Sequence, residues 1–172
     1  YANNEGNLFD PFNGIDDLKK GKINFIGDPD LRIKEDYLRI LRYLRFFLEY
    51  SKHDHDHKIK KIIKSNISGI KNISHDRLID ELRKIILSKN FNKITNDKFL
   101  KEILLLIFPE LVNFDIIKKF NLNKINIQVN KDFILALSLM IIDGSDNVNY
   151  VFYKYNLSNE AKNRINFINK IF

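Results

Sequence analysis

Four charged residues, Glu35, Asp36, Arg39 and Arg42, are the part of this sequence best suited to binding a ligand. If a helix begins near Pro29 and continues through this stretch, all four lie on or beside one polar side. Glu35 precedes Arg39 by four residues, the favoured orientation for an ion pair, worth about 0.2–0.5 kcal/mol if exposed. The spacing therefore predicts a guanidinium that is held in one pose, ready to donate hydrogen bonds.

A carboxylate beside a guanidinium matches the hydrogen-bonding edge of a nucleobase. Asp36 lies three residues before Arg39, so an acceptor-only carboxylate is expected next to a forked donor. Cytosine and adenine each carry an amino donor beside a ring-nitrogen acceptor, whereas uracil and guanine present the reverse order. Because a buried unsatisfied group costs about 1–3 kcal/mol, the pair is predicted to select cytosine and adenine.

Two helices must position these groups. The first is the recognition helix itself, whose apolar side is predicted to pack on the core through Tyr37, Ile40, Leu41, Leu44, Phe47 and Leu48. The second begins after Ser74, a good N-cap, and places Arg77 and Glu81 one turn apart, where they could form a surface ion pair. The polar groups are thus expected on rigid, half-buried elements.

Three segments, in order, resemble the class II CCA-adding tRNA nucleotidyltransferases and the related bacterial poly(A) polymerases. EDYLRILRYLRF, residues 35–46, resembles their ED-x-x-R nucleotide-recognition helix. DPFNGIDDL, residues 10–18, is similar to their DPFGG-x-x-DL segment, and ISHDRLIDEL, residues 73–82, to the start of a later helix. The order and approximate spacing of all three make the resemblance specific, over roughly the first half of the chain.

The resemblance implies a role for each of these residues. Asp36 and Arg39 would template incoming CTP and ATP, and Glu35 would orient Arg39. Arg42 would contact the base or the phosphates. Four further residues are expected to support the pocket: Asp10, Asp17, Arg77 and Glu81. The chain would then be the nucleotide-selecting and RNA-binding portion of an enzyme that adds CCA to tRNA 3′ ends.

Other functions are compatible with the same motifs. Poly(A) polymerase is the nearest enzymatic alternative because it shares them. A stand-alone helical RNA-binding module from a split or decayed gene is an alternative of another class, and a structural fragment that binds nothing is a third. The partners expected for the first reading are the acceptor end of tRNA and CTP or ATP.

Catalytic carboxylates are not recognisable in this sequence. The family resembles other two-metal enzymes, in which paired carboxylates hold Mg²⁺ ions, and it places them in a D-x-D that follows a Gly-Ser turn. The D-x-D sequences here, at 28–30 and 54–56, do not follow Gly-Ser and read as turn or loop residues. The chain alone is therefore expected to bind without catalysing and to hold no metal. Mg²⁺ would belong to the intact enzyme, and a separate head polypeptide is a conceivable partner.

The alternating His and Asp residues of the segment 51–57 raise the possibility of a metal site. His53 and His57 would share a face if the segment were helical, which is compatible with zinc. A solvated loop is the favoured interpretation because no further cluster of ligands stands elsewhere in the sequence.

The resemblance also predicts the fold class and its division. We expect a mainly α fold, with a multi-helical neck and body and a short β-containing remnant of the nucleotidyltransferase head at the N-terminus. Residues 1–27 would be that remnant, with short strands at 7–9 and 22–26. Residues 28–90 would be the neck with its nucleotide-recognition helices, and residues 91–172 the helical body that contacts RNA.

Periodicity and capping residues predict the remaining helices. They are expected at 15–20, 58–67, 97–108, 114–120, 131–142, 147–155 and 158–171. The interval 121–130 has no clear helical pattern and could be extended.

Composition limits the partners and the compartment. The 172 residues carry a net charge of +7 and a pI near 9.4, which favours a polyanionic partner such as RNA, although the chain is rich in Lys, Asn and Ile throughout. The absence of cysteine is typical of a reducing cytoplasm. The longest apolar run, Phe133 to Ile142, is too short to span a bilayer, so no membrane is expected. The chain opens without Met, as though cut from something longer.

Overall fold

In a computed structural model of the chain, residues 3–116 and 132–171 are described. This part of the chain forms nine α-helices, which confirms the mainly α fold. They are α1 (Gly14–Lys20), α2 (Pro29–Glu35), α3 (Arg39–Tyr50), α4 (His57–Asn66), α5 (His75–Ile86), α6 (Lys98–Ile107), α7 (Phe133–Ile141), α8 (Asn147–Lys154) and α9 (Asn159–Asn169). Two short 3-10 helices span Ile67–Asn72 and Phe91–Thr95.

The predicted recognition helix is not continuous. α2 ends at Glu35, Asp36 is extended with φ −154° and ψ 102°, and α3 begins at Arg39. The Asp36 side chain accepts a hydrogen bond from the backbone N–H of Leu38 at 3.2 Å. Aspartate competes in this way with helical backbone bonds, which explains the break that the apolar periodicity did not predict.

The apolar side of this stretch packs as predicted. Ile40, Leu41, Leu44 and Leu48 are buried, and Phe47 is partly buried against the core. α3 packs on α5, and α2 packs on α4. Tyr37 lies against Gly69, where an added Cβ would come within 2.0 Å of the tyrosine ring, so the position accepts no side chain. The polar groups before and along α3 are thus carried by a rigid element.

One hydrophobic cluster extends from Ile33 to Ile165 and includes buried residues of α2 to α9. It crosses the predicted boundary at residue 90, so residues on both sides of that position share one core. The domain limits at 27 and 90 themselves stay a prediction. Within the described ranges, no helix has the length and apolar character needed to cross a bilayer.

The two predicted strands do not form a sheet in the described residues. Leu8 makes one isolated bridge and is exposed, and residues 22–26 are irregular. Ile23 and Phe25 instead pack partly against the helical core. Two short strands alone cannot make a stable sheet, which is the physical reason for this outcome.

Side-chain caps set several helix starts, and the predicted cap at Ser158 is confirmed. Asp97 caps α6 through the N–H of Leu100, and Ser158 caps α9 through the N–H of Ala161. Ser74 occupies the N-cap position of α5, although its hydroxyl makes no capping hydrogen bond. Most of the predicted helix at 114–120, and the whole interval 121–130, lie outside the described residues.

Candidate functional site

Arg39 is fixed by two acceptors at the start of α3. Its Nη1 donates to Oε2 of Glu35 at 2.8 Å and to the carbonyl of Arg32 at 2.7 Å. The same Glu35 oxygen accepts from Nη1 of Arg32 at 2.6 Å. The hydrogen bond from Arg39, and then that from Arg32, lower the pKa of Glu35, so this carboxylate is ionised at neutral pH. The predicted Glu35–Arg39 pair is confirmed, and it bridges the helix break.

Asp36 lies in the break and has its own partners. One carboxylate oxygen accepts from the N–H of Leu38 and the other from Nη2 of Arg77, at 3.2 and 2.9 Å. The prediction that one continuous helix brings Asp36 to the edge of Arg39 is wrong, because the backbone is extended at Asp36. Asp36 instead joins the start of α3 to the first turn of α5.

Glu81 and Arg77 do not pair with each other, contrary to the ion pair that their spacing predicted. Arg77 reaches across to Asp36, whereas Glu81 is buried, with only 2% of its side chain exposed. Nε of Arg45 donates to Glu81 at 2.5 Å, and Nζ of Lys84 to its other oxygen at 3.2 Å. Both residues therefore support the recognition element, but through separate contacts that link α5 to α3 and to the helix break.

A cavity of about 240 Å³ lies beside the fixed arginine. Three guanidinium-bearing residues line it, together with residues 23–26, Tyr43 and Phe46. The three are Arg32, Arg39 and Arg42. Arg42 is exposed, and in the described part of the chain its guanidinium has no carboxylate partner. Glu35 and Asp36 are not lining residues, so the cavity wall itself offers hydrogen-bond donors and positive charge.

The predicted support residues at the N-terminus hold the start of α1 and the segment 22–26. Asp10 accepts from the N–H groups of Gly14 and Ile15, each at 2.8 Å, and so caps α1. The N–H groups of Ile15 and Gly14 lower the pKa of Asp10. Asp17 accepts from Nδ2 of Asn24 at 2.7 Å, and Asn24 lines the arginine cavity as well as a neighbouring cavity of about 860 Å³. Asp17 therefore restrains the segment that faces the arginines.

Three of the four carboxylates in the two D-x-D sequences already have hydrogen-bond partners in the local structure. Asp28 caps α2 through the N–H of Leu31, and Asp30 accepts from Lys34 and Asn66. Asp56 caps α4 through the N–H groups of Lys58 and Ile59. These oxygens already serve local structure. Over the described ranges, which include the segment 51–57, no group of three His, Asp or Glu side chains is placed to hold a metal ion.

Three residues at this site were missed from the sequence. Arg32 shares the carboxylate of Glu35 with Arg39, and its spacing of three residues before Glu35 could have indicated this. Phe25 and Tyr43 stack with ring centroids 5.6 Å apart and line the cavity together. No local pattern indicates that contact, because it joins an irregular segment to a helix.

Comparison with known proteins points the same way as the motifs. Residues 56–114, which extend from the cap of α4 beyond α6, match the family model described as "Probable RNA and SrmB-binding site of polymerase A". The chain is 45% identical over 92 residues to the mitochondrial CCA tRNA nucleotidyltransferase 1 of Mus musculus, and the match covers 52% of this chain and 21% of the relative. It is 33% identical over 115 residues to the CCA-adding enzyme of Staphylococcus saprophyticus, covering 64% of this chain and 27% of that enzyme.

The chain spans less than a third of the length of these two relatives. One of them is mitochondrial, and the cytoplasmic location of this chain stays a prediction. The similarity is nevertheless well above chance over a long segment. Over about half of its length this chain is related to the CCA-adding tRNA nucleotidyltransferases, as its three motifs predicted.

Proposed function

We propose that this chain is the nucleotide-selecting and RNA-binding portion of a tRNA nucleotidyltransferase that adds CCA from CTP and ATP. The observation that carries the proposal is Arg39, held by Glu35 and by the Arg32 carbonyl at the wall of a cavity. The similarity to CCA-adding enzymes supports CTP and ATP as the ligands and tRNA as the second partner.

Arg39 supplies the donors for base recognition. Nη1 makes both of its contacts, and its Nε and Nη2 have no partner within the described residues. A guanidinium edge left open in this way can donate to the ring nitrogen of cytosine or adenine. Because Glu35 and the Arg32 carbonyl fix the group beforehand, little side-chain entropy is lost when a base binds.

Asp36 is proposed to supply the acceptor. It lies in the helix break and is not among the residues that line the 240 Å³ cavity, so this role requires a base that extends beyond the cavity to the break. Each of its oxygens takes one protein donor, from Leu38 and from Arg77, and a carboxylate oxygen can accept a second hydrogen bond. The exocyclic amino group of cytosine or adenine would satisfy that free position. Uracil and guanine would place a carbonyl oxygen there, next to a carboxylate that cannot donate.

Arg32 and Arg42 are proposed to attract the triphosphate. Both line the cavity, and Arg42 has no carboxylate to neutralise it within the described ranges. A cluster of guanidinium groups facing one cavity raises the local concentration of an anionic ligand. Selection of the base and attraction of the phosphates would thus use different members of the same cluster.

We place the chemical step in a part of the intact enzyme that supplies metal-binding carboxylates. Nucleotidyl transfer by two-metal chemistry needs paired carboxylates that are free to hold Mg²⁺. The D-x-D carboxylates described above instead cap helices or pair with side chains, so this chain alone is expected to bind nucleotide and RNA without incorporating it.

Replacing Asp36 by Asn should reduce the preference of the chain for CTP and ATP over UTP and GTP by about fivefold or more. The substitution keeps the size of the side chain, but it turns one acceptor oxygen into a donor. Equilibrium titration of the 172-residue chain with fluorescent forms of all four nucleotides measures the effect. Asp28→Asn, which removes the same charge at the cap of α2, is the control and should leave the preference unchanged. An unchanged preference in Asp36→Asn would refute the role of Asp36.

Replacing Lys58 and Lys61 together by Gln should weaken tRNA binding. Both are exposed on α4, inside the segment that matches the RNA-binding family model, and neither has an ion-pair partner in the described part of the chain. Each phosphate contact contributes about 0.7–0.9 to the slope of log K against log salt, so the slope should fall by about 1.4–1.8. Fluorescence anisotropy over a series of NaCl concentrations measures it.

Lys19→Gln combined with Lys170→Gln changes the net charge equally outside that segment and serves as the control. If the slope of log K against log salt falls equally in both double variants, binding follows net charge alone and α4 is not the RNA interface. Poly(A) polymerase remains the second candidate because the family model bears the name of polymerase A. Binding of ATP with rejection of CTP by the same chain would favour it.

A further inference from the structure

His55 is a buried histidine in an otherwise exposed loop. It lies between α3 and α4, where Lys52, His53, Asp54 and Asp56 are all exposed, yet only 6% of its own side chain is accessible. Its ring is stacked on Phe47, with centroids 3.5 Å apart and planes inclined by 14°, and it meets the edge of Phe99 at 4.8 Å. A solvated connecting loop would not need such a residue.

Both ring nitrogens of His55 are hydrogen-bonded. Nδ1 lies 2.9 Å from the hydroxyl of Tyr43, and Nε2 lies 2.9 Å from Oδ2 of Asp97. Burial raises the pKa of Asp97, but the hydrogen bonds from His55 and Leu100 outweigh it and leave the pKa below its usual value. The ionised carboxylate can only accept, so Nε2 carries the proton. Burial raises the pKa of Tyr43, so its hydroxyl keeps its proton and can donate it to Nδ1 of a neutral His55.

This chain of contacts ends at the arginine cavity. Tyr43 stacks on Phe25 with an angle of 13° between the rings, and both residues line the same cavity as Arg39. The other end is anchored, because Asp97 also caps α6. The same loop binds the end of α1, where the N–H of Lys52 donates to the carbonyl of Gly21 at 3.0 Å. The loop thus restrains residues 22–26 at two points. It binds Gly21 directly through Lys52, and it contacts Phe25 indirectly, through His55 and Tyr43.

We propose that His55 is a positioning residue for the nucleotide cavity. It holds the Tyr43 hydroxyl in one direction, Tyr43 in turn sets the place of the Phe25 ring, and Phe25 lines the cavity together with the base-reading arginine. Asp97 ties this arrangement to α6, inside the segment that matches the RNA-binding family model. The ligand part of this inference rests on the proposed function, whereas the placement of Phe25 and Arg39 can be measured without a ligand.

The test compares His55→Ala and His55→Gln in the 172-residue chain. A glutamine can still accept from Tyr43 and donate to Asp97, so it replaces the hydrogen bonds without the ring. Ile165→Val, a fully buried position in α9 that does not line the cavity, is the control for a general loss of stability. The readouts are the affinities for CTP and ATP, and the NMR signals of the Phe25 ring and the Arg39 Nε–H in the ligand-free chain.

His55→Ala should weaken CTP and ATP binding about fivefold, as expected for the loss of one fixed hydrogen bond. It should also shift the signals of Phe25 and Arg39. His55→Gln should restore most of both, and Ile165→Val should change neither. Unchanged signals in His55→Ala, or no recovery in His55→Gln, would overturn the proposal.

Two further outcomes are also decisive. If the unsubstituted chain binds neither nucleotide, the proposed function fails, and the ligand-free signals alone decide the role of His55. If His55→Ala does not fold, Tyr43→Phe replaces it, because that variant keeps the ring and removes only the hydroxyl. Tyr43→Phe should then shift the same Phe25 and Arg39 signals, and their constancy would overturn the positioning role.

Discussion

Replacing Arg39 by Ala should weaken binding of CTP and ATP by roughly tenfold to a hundredfold, while UTP and GTP binding changes little. The expected loss corresponds to about 1.5–3 kcal/mol for a hydrogen bond from a charged donor. The effect should be specific to the base, because Arg32 and Arg42 remain at the cavity to attract the phosphates. Arg39→Lys should also lose selection, because it keeps the charge but not the forked donor.

Titration of each variant with the four nucleotides measures this result. Arg83→Ala, which removes an exposed arginine of α5 that does not line the cavity, is the matched control and should bind as the unsubstituted chain does. If Arg39→Ala selects CTP and ATP over UTP and GTP as before, Arg39 does not read the base.

Replacing Glu81 by Leu should lower the free energy of unfolding by about 3–5 kcal/mol. Glu81 is 2% exposed and Arg45 is 18% exposed at the side chain, so the substitution leaves a largely buried guanidinium without its carboxylate. Removing one partner of a buried pair costs more than the pair itself contributes, because the remaining charge stays desolvated. Urea denaturation followed by circular dichroism measures the loss.

The double variant Arg45→Met with Glu81→Leu tests the reason for that loss. It replaces both charges by apolar groups and should recover a large part of the stability, so that the two substitutions are strongly non-additive. If the double variant is as unstable as the sum of the two single variants, the pair is not coupled. The destabilisation would then come from packing around α5 alone.

Local patterns predicted the parts of the site that depend on local contacts. The apolar face of α3 and the Glu35–Arg39 pair both follow from spacing along the chain. These interactions join residues less than two turns apart, and for them helix geometry decides which side chains can meet.

Contacts between distant elements could not be predicted from the spacing of residues along the chain. Arg77 reaches Asp36 across 41 positions, and Glu81 reaches Arg45 across 36, instead of pairing within one turn. Burial explains the second case, because a desolvated Glu81 needs a close cation and the packing of α3 on α5 supplies one. The hydrogen bond between His55 and Asp97, which are 42 positions apart, is likewise a contact between distant elements.

The helix break at Asp36 is the most consequential feature that residue spacing did not predict. The apolar residues on either side keep a helical period, which hides a residue whose side chain replaces a backbone acceptor. The break points Asp36 toward Arg77 and leaves Arg39 held by Glu35 alone among the carboxylates of the described residues. The base-reading hypothesis therefore depends on the open positions of both groups and not on a shared helical face.

The most direct measurement is the affinity of the unsubstituted 172-residue chain for CTP, ATP, UTP and GTP under one set of conditions. The fixed guanidinium of Arg39 and the free acceptor position of Asp36, in the helix break just before α3, predict that CTP and ATP bind more tightly than UTP and GTP. Equal affinity for all four nucleotides, or tighter binding of UTP or GTP, would contradict base recognition by Arg39 and Asp36.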